Sequence, residues 1–518
     1  MGMHVKRFGK WGSPLFCIFM LCSLQVFAQN VARIDLTKTY QVIRGFGGAN
    51  IVQWRPDMTD SEVETAFGTE DGQLGFTILR IRIQPQRNLW ITNVPTAKKA
   101  YELGAIVIAS PWSPPPEMKS NNNTVGGELL EDYYEDFAFH LRDFAEFMAE
   151  NGAPVYAVSV QNEPDYSVTY ESCNWTASQM VHFLREYAPL VGVKVMAPES
   201  FQFRREMSDP ILNDSLACAH LGFVAGHIYG GGIFSYPLAE SKGKEVWMTE
   251  HLSGENSHAN DWSTAMDVAL EINNVMHAGM SAYVWWYIVR YYGPISDGTN
   301  NSGKKGEVTK KGYVMSQFAR FIRPGYYRIA CPKYPQRNIW ASAYKDSASS
   351  KVVIVAINTA SEAKSQTFVF QNGHVEKFTP YVTSETKNCQ QEKDVFVSND
   401  SLTVTLDGKS VTTFVSDENV NDNVEGTLSD SVSFKLFQNY PNPFNASTRI
   451  CFEIPRRSFV SLLIYNILGE KVAELAGKEF APGFHSVRFD ATHVPSGIYF
   501  YTLKTNHFTQ TRKMFLIR

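Results

Sequence analysis

The chain has 518 residues, 44% of them hydrophobic and 19% charged, ordinary proportions for a folded protein of about three domains. A formal net charge of -4 excludes the strongly cationic surface that would hold nucleic acid or an anionic membrane. Aromatic residues reach 13%, a share that suits flat faces for sugar rings but suits a large core equally well, and composition by itself favours the core.

Residues 1–28 read as an export signal. Lys6, Arg7 and Lys10 make a basic start, Pro14–Phe27 is mostly apolar, and Val26-Phe27-Ala28 offers a small residue before Gln29. The apolar run is short for a bilayer, so an uncleaved anchor is the weaker alternative. No later segment reads as transmembrane. Seven cysteines are present, with Cys17 and Cys22 in the signal. Cys173, Cys218, Cys331, Cys389 and Cys451 form an odd set without CxxC spacing, which argues for buried free thiols over a disulfide scaffold or a zinc cluster.

From residue 41 to about 320, within a barrel domain read as residues 29–320, short apolar runs alternate with amphipathic stretches. Eight runs read as strands: Gln41–Asn50, Phe76–Ile83, Ala105–Trp112, Val155–Glu163, Lys194–Glu199, Ala225–Gly230, Glu245–Glu250 and Ser281–Arg290. A continuous run such as Ala105-Ile106-Val107-Ile108-Ala109 suits a parallel sheet covered on both faces. Thr59 with Glu62, and Thr176 with Gln179, have capping-box spacing, and Tyr133–Asn151 and Trp262–Ala278 read as long amphipathic helices. Eight strands alternating with helices predict an α/β fold, a (β/α)₈ TIM barrel. The competing architecture is a doubly wound open sheet. Gly45-Phe46-Gly47-Gly48 is read as a tight turn and lacks the G-x-G-x-x-G fingerprint that a dinucleotide site would need.

Residues 321–416 change character. Val352–Asn358, Leu402–Leu406 and Ser410–Val415 are read as β-branched strands with alternating polar positions, predicting a side β-domain, and Arg33–Ile43 is a strand able to return to it. Residues 417–433 lack periodicity and read as a linker. Residues 434–518 read as a C-terminal all-β sandwich, with Val460–Tyr465, His485–Phe489 and Gly497–Leu503 as alternating strands.

In a barrel the chemistry lies where strands end. The fourth strand leads into Gln161-Asn162-Glu163-Pro164 and the seventh ends in Thr249-Glu250. Strands four and seven face each other across the mouth. Two carboxyls there suit glycosidic cleavage with retention, Glu163 as general acid/base and Glu250 as nucleophile. Their shared site would separate their pKa values. Asn162 is placed to donate to a 2-hydroxyl, and Tyr229 to donate its phenol to the nucleophile. Trp112 and one of Trp285 and Trp286 supply stacking faces, since neighbours on a strand point to opposite sides; Trp286 is the expected one. Arg80 on strand two reads equally as support for the nucleophile or as a structural ion pair. No metal-ligand spacing, nucleotide motif or redox motif is present, so neither a metal nor a cofactor is expected.

These residues carry a resemblance. Gln41–Gly48, Gln73–Arg82, Ser110–Pro115, Ser159–Tyr166, Ala197–Phe201, Val246–Glu250, Tyr283–Ile288 and Arg323–Tyr326, in this order, resemble glycoside hydrolase family 30, and most of all its bacterial glucuronoxylan-cleaving subfamily 8. The resemblance runs from about residue 33 to 416. It implies a barrel with a side β-domain, a retaining mechanism and the roles given above to Glu163 and Glu250. It also implies a site for the 4-O-methylglucuronate branch of xylan, with Arg290 and Tyr292 matching the family's arginine and the tyrosine two places on. A guanidinium suits that task because it can grip a carboxylate in bidentate fashion. Three positions depart from the family: Val289 replaces the first of two adjacent arginines, Leu252 replaces a tyrosine, and GGMNH reads Gly47-Gly48-Ala49-Asn50-Ile51. The long polar loop Ser296–Glu307 is a further feature able to reshape the cleft.

Phe437–Thr448, Val460–Val472 and Ser496–Tyr501, with a basic finish at Arg512-Lys513 and Arg518, resemble a type IX secretion sorting domain; a carbohydrate-binding or fibronectin-like module is the structural alternative. Together the resemblances imply a secreted or surface endo-β-1,4-xylanase that acts on xylan and engages a secretion machinery, with no nucleic-acid partner. The alternatives are a branch-independent xylanase or xylobiohydrolase, a β-1,6-glucanase or other related glycanase, and a non-catalytic glycan-binding protein, which the intact carboxylate pair argues against.

Overall fold

The structure, a computed structural model, describes residues 30–516 apart from 255, 348, 418–433 and scattered positions between 438 and 507. The signal segment and nearly all of the linker lie outside the described residues.

Strand β1 (Val31–Val42) comes first, followed by a closed parallel barrel of eight strands: β2 (Gly45–Ala49), β3 (Ile78–Ile83), β4 (Ile106–Pro111), β5 (Val155–Ser159), β6 (Lys194–Ser200), β7 (Leu221–His227), β8 (Val246–His251) and β9 (Ala282–Trp285). Every neighbouring pair is parallel, including β2 with β9, which closes the ring. The barrel interior is filled by side chains such as Ile78, Ile108, Met196, Phe223 and Trp247. It is a packed core with its working end at the strand C-termini.

Gly45-Phe46-Gly47-Gly48 is not a turn but the first barrel strand. Its glycines answer to close packing. A Cβ at Gly47 would stand 1.8 Å from the Ile78 carbonyl oxygen, and one at Gly48 would stand 2.6 Å from Ile288 Cγ1. Both capping boxes form, starting the helices Asp60–Phe67 and Ala177–Glu186, and the two long helices span Tyr134–Glu150 and Trp262–His277.

Strand β1 leaves the barrel and joins the side domain, parallel to β13 (Lys364–Gln371) and antiparallel to β10 (Tyr327–Ala330). The same curled sheet contains β11 (Ile339–Lys345), β12 (Val352–Asn358), β14 (Lys377–Thr383), the short β15 (Gln390–Gln391) and β16 (Val395–Phe396), β17 (Ser401–Leu406) and β18 (Ser410–Ser416). Strand β12 does not alternate between buried and exposed positions; all seven residues are buried. Val353, Val355 and Ile357 pack toward the barrel, while Val352, Ile354 and Ala356 fill the side domain's own core. A strand covered on both faces is apolar throughout. Hydrogen bonds from His277 Nε2 to the Ala341 carbonyl (2.7 Å) and from Trp262 Nε1 to the Lys409 carbonyl (3.1 Å) tie the barrel to this sheet.

The C-terminal unit has two antiparallel sheets. One contains β19 (Lys435–Leu436), β20 (Ser447–Ile454) and β23 (Gly483–Asp490). The other contains β21 (Ser458–Tyr465), β22 (Lys471–Phe480), β24 (Gly497–Lys504) and β25 (Thr509–Leu516). Inward residues of both sheets, including Ile450, Phe452, Leu462, Tyr501 and Met514, make one core. At the barrel end away from the mouth, Lys194, the first residue of β6, lies 3.0 Å from Glu453 of β20. Among the described residues no disulfide joins Cys173, Cys218, Cys331, Cys389 or Cys451.

Candidate active site

The strand C-termini open into a cleft of about 820 Å³. Glu163 and Glu250 both line it, as do Asn162, Tyr229, Trp112, Trp286 and Tyr292. Strand β5 is shorter than the apolar run suggested. It ends at Ser159, and the chain turns so that Glu163 has φ of 46°, a left-handed conformation that costs a non-glycine residue energy. Neighbouring strands hold the turn: Asn162 N donates to the Pro111 carbonyl (2.8 Å) and Glu163 N to the Glu199 carbonyl (3.1 Å). Glu250 sits within β8 itself.

Carboxylate oxygens of Glu163 and Glu250, together with a nitrogen of His227, lie within 4.8 Å of one another. That spacing is close to the roughly 5–5.5 Å of a retaining pair and too short to seat a water between a general base and the sugar. The two groups have different partners. Glu250 Oε2 accepts from Arg80 Nη1 at 2.5 Å, and Oε1 accepts from the Tyr229 phenol at 2.8 Å. Glu163 Oε1 lies 2.9 Å from His227 Nδ1, and Oε2 accepts only a long contact of 3.4 Å from Tyr170.

Arg80 is completely buried and spans the site. Its Nη2 donates to Asn162 Oδ1 (2.7 Å) and lies 3.2 Å from Glu199, and its plane covers the Trp112 ring at 4.7 Å. Because the Asn162 oxygen is taken by this donor, its amide nitrogen is the end left for a ligand.

Burial pushes the Glu250 carboxyl above its ordinary range and the Glu163 charge adds to this, while His227, Arg80 and Tyr229 pull against it. Burial would also raise Glu199, but Arg80 and His227 outweigh it and hold that carboxyl down at about 2. His227 is raised to about 9, since the surrounding Glu250, Glu163 and Glu199 overcome the desolvation that would lower it. The cluster therefore holds two cations, Arg80 and His227, against an ionised Glu199. Arg80 and Tyr229, both donating to Glu250, favour its ionised form against the burial and the Glu163 charge that raise it.

Glu163, His227 and Glu250 are also a group whose ligand atoms converge closely enough for a metal ion. The electrostatics oppose a cation there. Arg80 Nη1, 2.5 Å from Glu250 Oε2, already sets a positive charge against this carboxyl.

Trp54, Trp112 and Trp286 form the aromatic wall, with centroid separations of 5.2 Å for Trp54–Trp112 and 5.7 Å for Trp112–Trp286. Trp285 points the other way and is fully buried beneath Lys311. Tyr292 reaches the cleft, but Arg290 stands behind it, its guanidinium 3.0 Å from Asp297.

Sequence reading missed four contributors: His227, Glu199, Tyr170 and Trp54. Glu199 carried the same signal that singled out Glu163 and Glu250, a carboxylate at the end of an apolar strand.

A carboxylate pair with this spacing, set in an aromatic cleft at the C-terminal mouth of a parallel eight-stranded barrel, defines a glycoside hydrolase. Over 421 residues the chain is 42% identical to the glucuronoxylanase XynC of Bacillus subtilis (strain 168), a match covering 77% of this chain and 97% of that relative. It is similar in structure to Xyn30A, a glycoside hydrolase family 30 subfamily 8 xylanase from Clostridium acetobutylicum (TM-score 0.69, 38% identity, covering 75% of this chain and 100% of that one). It also resembles a family 30 endoxylanase from Clostridium papyrosolvens C71 (TM-score 0.66, 38% identity, 74% and 99%). The chain belongs to glycoside hydrolase family 30. Residues 438–517 match the secretion system C-terminal sorting domain, which marks the protein for export. No helix among the described residues is long and apolar enough to cross a membrane.

Proposed function

We propose that the protein is a retaining endo-β-1,4-xylanase that hydrolyses glucuronoxylan outside the cell. Glu163 protonates the leaving oxygen while Glu250 attacks the anomeric carbon, giving a covalent glycosyl-enzyme. Glu163, now ionised, then takes a proton from the water that releases the sugar. Asn162 donates its free amide hydrogen to the 2-hydroxyl, Trp112 and Trp286 stack on sugar rings, and Tyr229 stabilises the ionised nucleophile. Arg290 and Tyr292 meet the glucuronate branch. The sorting domain engages a type IX secretion machinery, and the enzyme works in the medium or at the cell surface.

The observation that carries this reading is the approach of the two carboxyls to within 4.8 Å, one bonded by Arg80 and Tyr229 and the other beside His227. It gains support from the glucuronoxylanase and endoxylanase relatives. Product analysis of the purified enzyme on glucuronoxylan and on unbranched xylan tests it. Products with a single branch at a fixed place support reading of the branch, and hydrolysis of neither polymer overturns the substrate assignment.

One observation favours a second reading, a xylanase that tolerates unbranched chains. Arg290 is already paired with Asp297, and the neighbouring Val289 and Leu252 bring no polar group to help it. A ladder of plain xylo-oligomers is the product pattern of that reading.

A further inference from the structure

Arg290 and Asp297 are joined across a tight turn. Arg290 N donates to the Ile295 carbonyl (2.9 Å), Ile295 N to the Ile288 carbonyl (3.0 Å), and Gly293 N to the Arg290 carbonyl (2.9 Å). At Gly293 a Cβ would come within 2.6 Å of the Tyr287 carbonyl oxygen, so the turn has no room for a side chain. The loop beyond it is also tied down, with Ser296 N bonded to the Glu307 carbonyl and Gly306 N to the Ser296 carbonyl, each at 2.9 Å.

Asp297 is aimed by this loop. Its Oδ1 accepts from Thr299 N (3.0 Å) and Thr299 Oγ1 (2.6 Å), which leaves Oδ2 to accept from Arg290 Nη1 at 3.0 Å. Burial would raise the Asp297 carboxyl, but the Thr299 hydroxyl and amide together with Arg290 hold it below its ordinary range, so it is an anion at neutral pH.

The contact uses one nitrogen of Arg290. Its Nε is buried without a hydrogen-bond partner. The guanidinium lies 4.7 Å from the Tyr291 ring and 5.7 Å from the Tyr292 ring, and Tyr292 forms part of the cleft wall. Both members of the pair are 19% exposed, so the pair is open to exchange with a ligand. A guanidinium that gives one nitrogen to Asp297 and also bonds the Tyr292 hydroxyl still has N–H donors left for a second carboxylate.

We propose that Asp297 is a specificity-determining residue: a resident carboxylate that partly satisfies Arg290 and so sets how strongly an acidic branch is preferred over a plain chain. An incoming glucuronate must share Arg290 with Asp297 or displace it, and a chain without the branch leaves Arg290 with a partner instead of a bare buried charge. The first effect weakens selection for the branch and the second removes the penalty for lacking it. The inference rests on the xylanase reading above.

The test compares kcat/KM on glucuronoxylan and on unbranched xylan for the full chain and for Asp297→Asn, Asp297→Glu, Arg290→Ala and the Asp297→Asn/Arg290→Ala double variant. The asparagine oxygen can still accept from Thr299, and a thermal melt reports whether each variant is folded. Asp297→Asn is expected to raise the branched-to-unbranched ratio about tenfold, through KM rather than kcat. Asp297→Glu, which restores a carboxylate, is expected to return the ratio toward that of the parent. The double variant is expected to lose the gain. An unchanged or lower ratio in Asp297→Asn overturns the proposal. So does a gain that survives Arg290→Ala, which would assign the branch to another cation such as Arg55, a residue electrostatically coupled to Tyr287 and Tyr292. Failure of the substrate reading is distinct, because there the parent enzyme cleaves neither polymer.

Discussion

His227 Nδ1 lies 2.9 Å from Glu163 Oε1, and the same nitrogen is 4.0 Å from Glu250 Oε1. A buried imidazolium thus stands between the two carboxyls, with Glu199 behind it at 3.6 Å from Nε2.

This arrangement makes stability depend on pH in a stated direction. His227 is raised from 6.5 to about 9 in the fold, because the attraction of Glu250, Glu163 and Glu199 exceeds the desolvation that would lower it. The folded protein therefore holds this proton more tightly than the unfolded chain does. The stabilisation is complete below about 6.5 and is lost as pH rises through about 9. Its full size is on the order of 3 kcal/mol. Denaturant unfolding between pH 6 and 10 checks this. Stability is expected to fall across that window in the parent and to change much less in His227→Gln; equal slopes would remove His227 as the cause.

Arg80 is the counter-charge for both Glu199 and Glu250. Arg80→Met leaves those carboxylates without it in a dry site, and the expected loss is on the order of 3–5 kcal/mol in urea unfolding at neutral pH. A loss below about 1 kcal/mol would mean that water or a rearranged side chain replaces the guanidinium.

Tyr229→Phe removes one hydrogen bond from Glu250 and keeps the ring. A hydrogen bond to a charged group contributes roughly 1.5–3 kcal/mol, so kcat/KM is expected to fall about tenfold to a hundredfold. The loss of a donor that favours the ionised form also moves the acid limb of the pH profile to higher pH. An acid limb at its original position would show that the phenol does not tune the nucleophile.

The barrel and its catalytic pair were legible because they leave local marks. Continuous apolar runs mark strands covered on both faces, and Glu163 and Glu250 stand where two of those runs end. Thr59 with Glu62 and Thr176 with Gln179 were legible for a similar reason, since a capping box is set by spacing within one turn. His227 was not, although it lay inside the run Ala225–Gly230, because its partners Glu163, Glu199 and Glu250 come from distant parts of the chain that only the closed barrel brings near. Trp54 lies in a loop, where no periodicity assigns it a side. Gly45–Gly48, inside the run read as the first strand, looked like a turn because its glycines respond to Ile78 and Ile288, residues distant in sequence that only the closed barrel brings near. The pairing of Arg290 with Asp297 depends on how the loop after β9 folds back, and no spacing rule encodes that.

The stereochemistry of the first product tests the account most directly. Following xylan hydrolysis by proton NMR from the first minutes, before the sugar mutarotates, reports the anomeric configuration at the new reducing end. Attack by Glu250 followed by water on the same face predicts that the β-anomer forms first. An α-anomer formed first would mean a single displacement by water and would contradict the assignment of Glu250 as nucleophile.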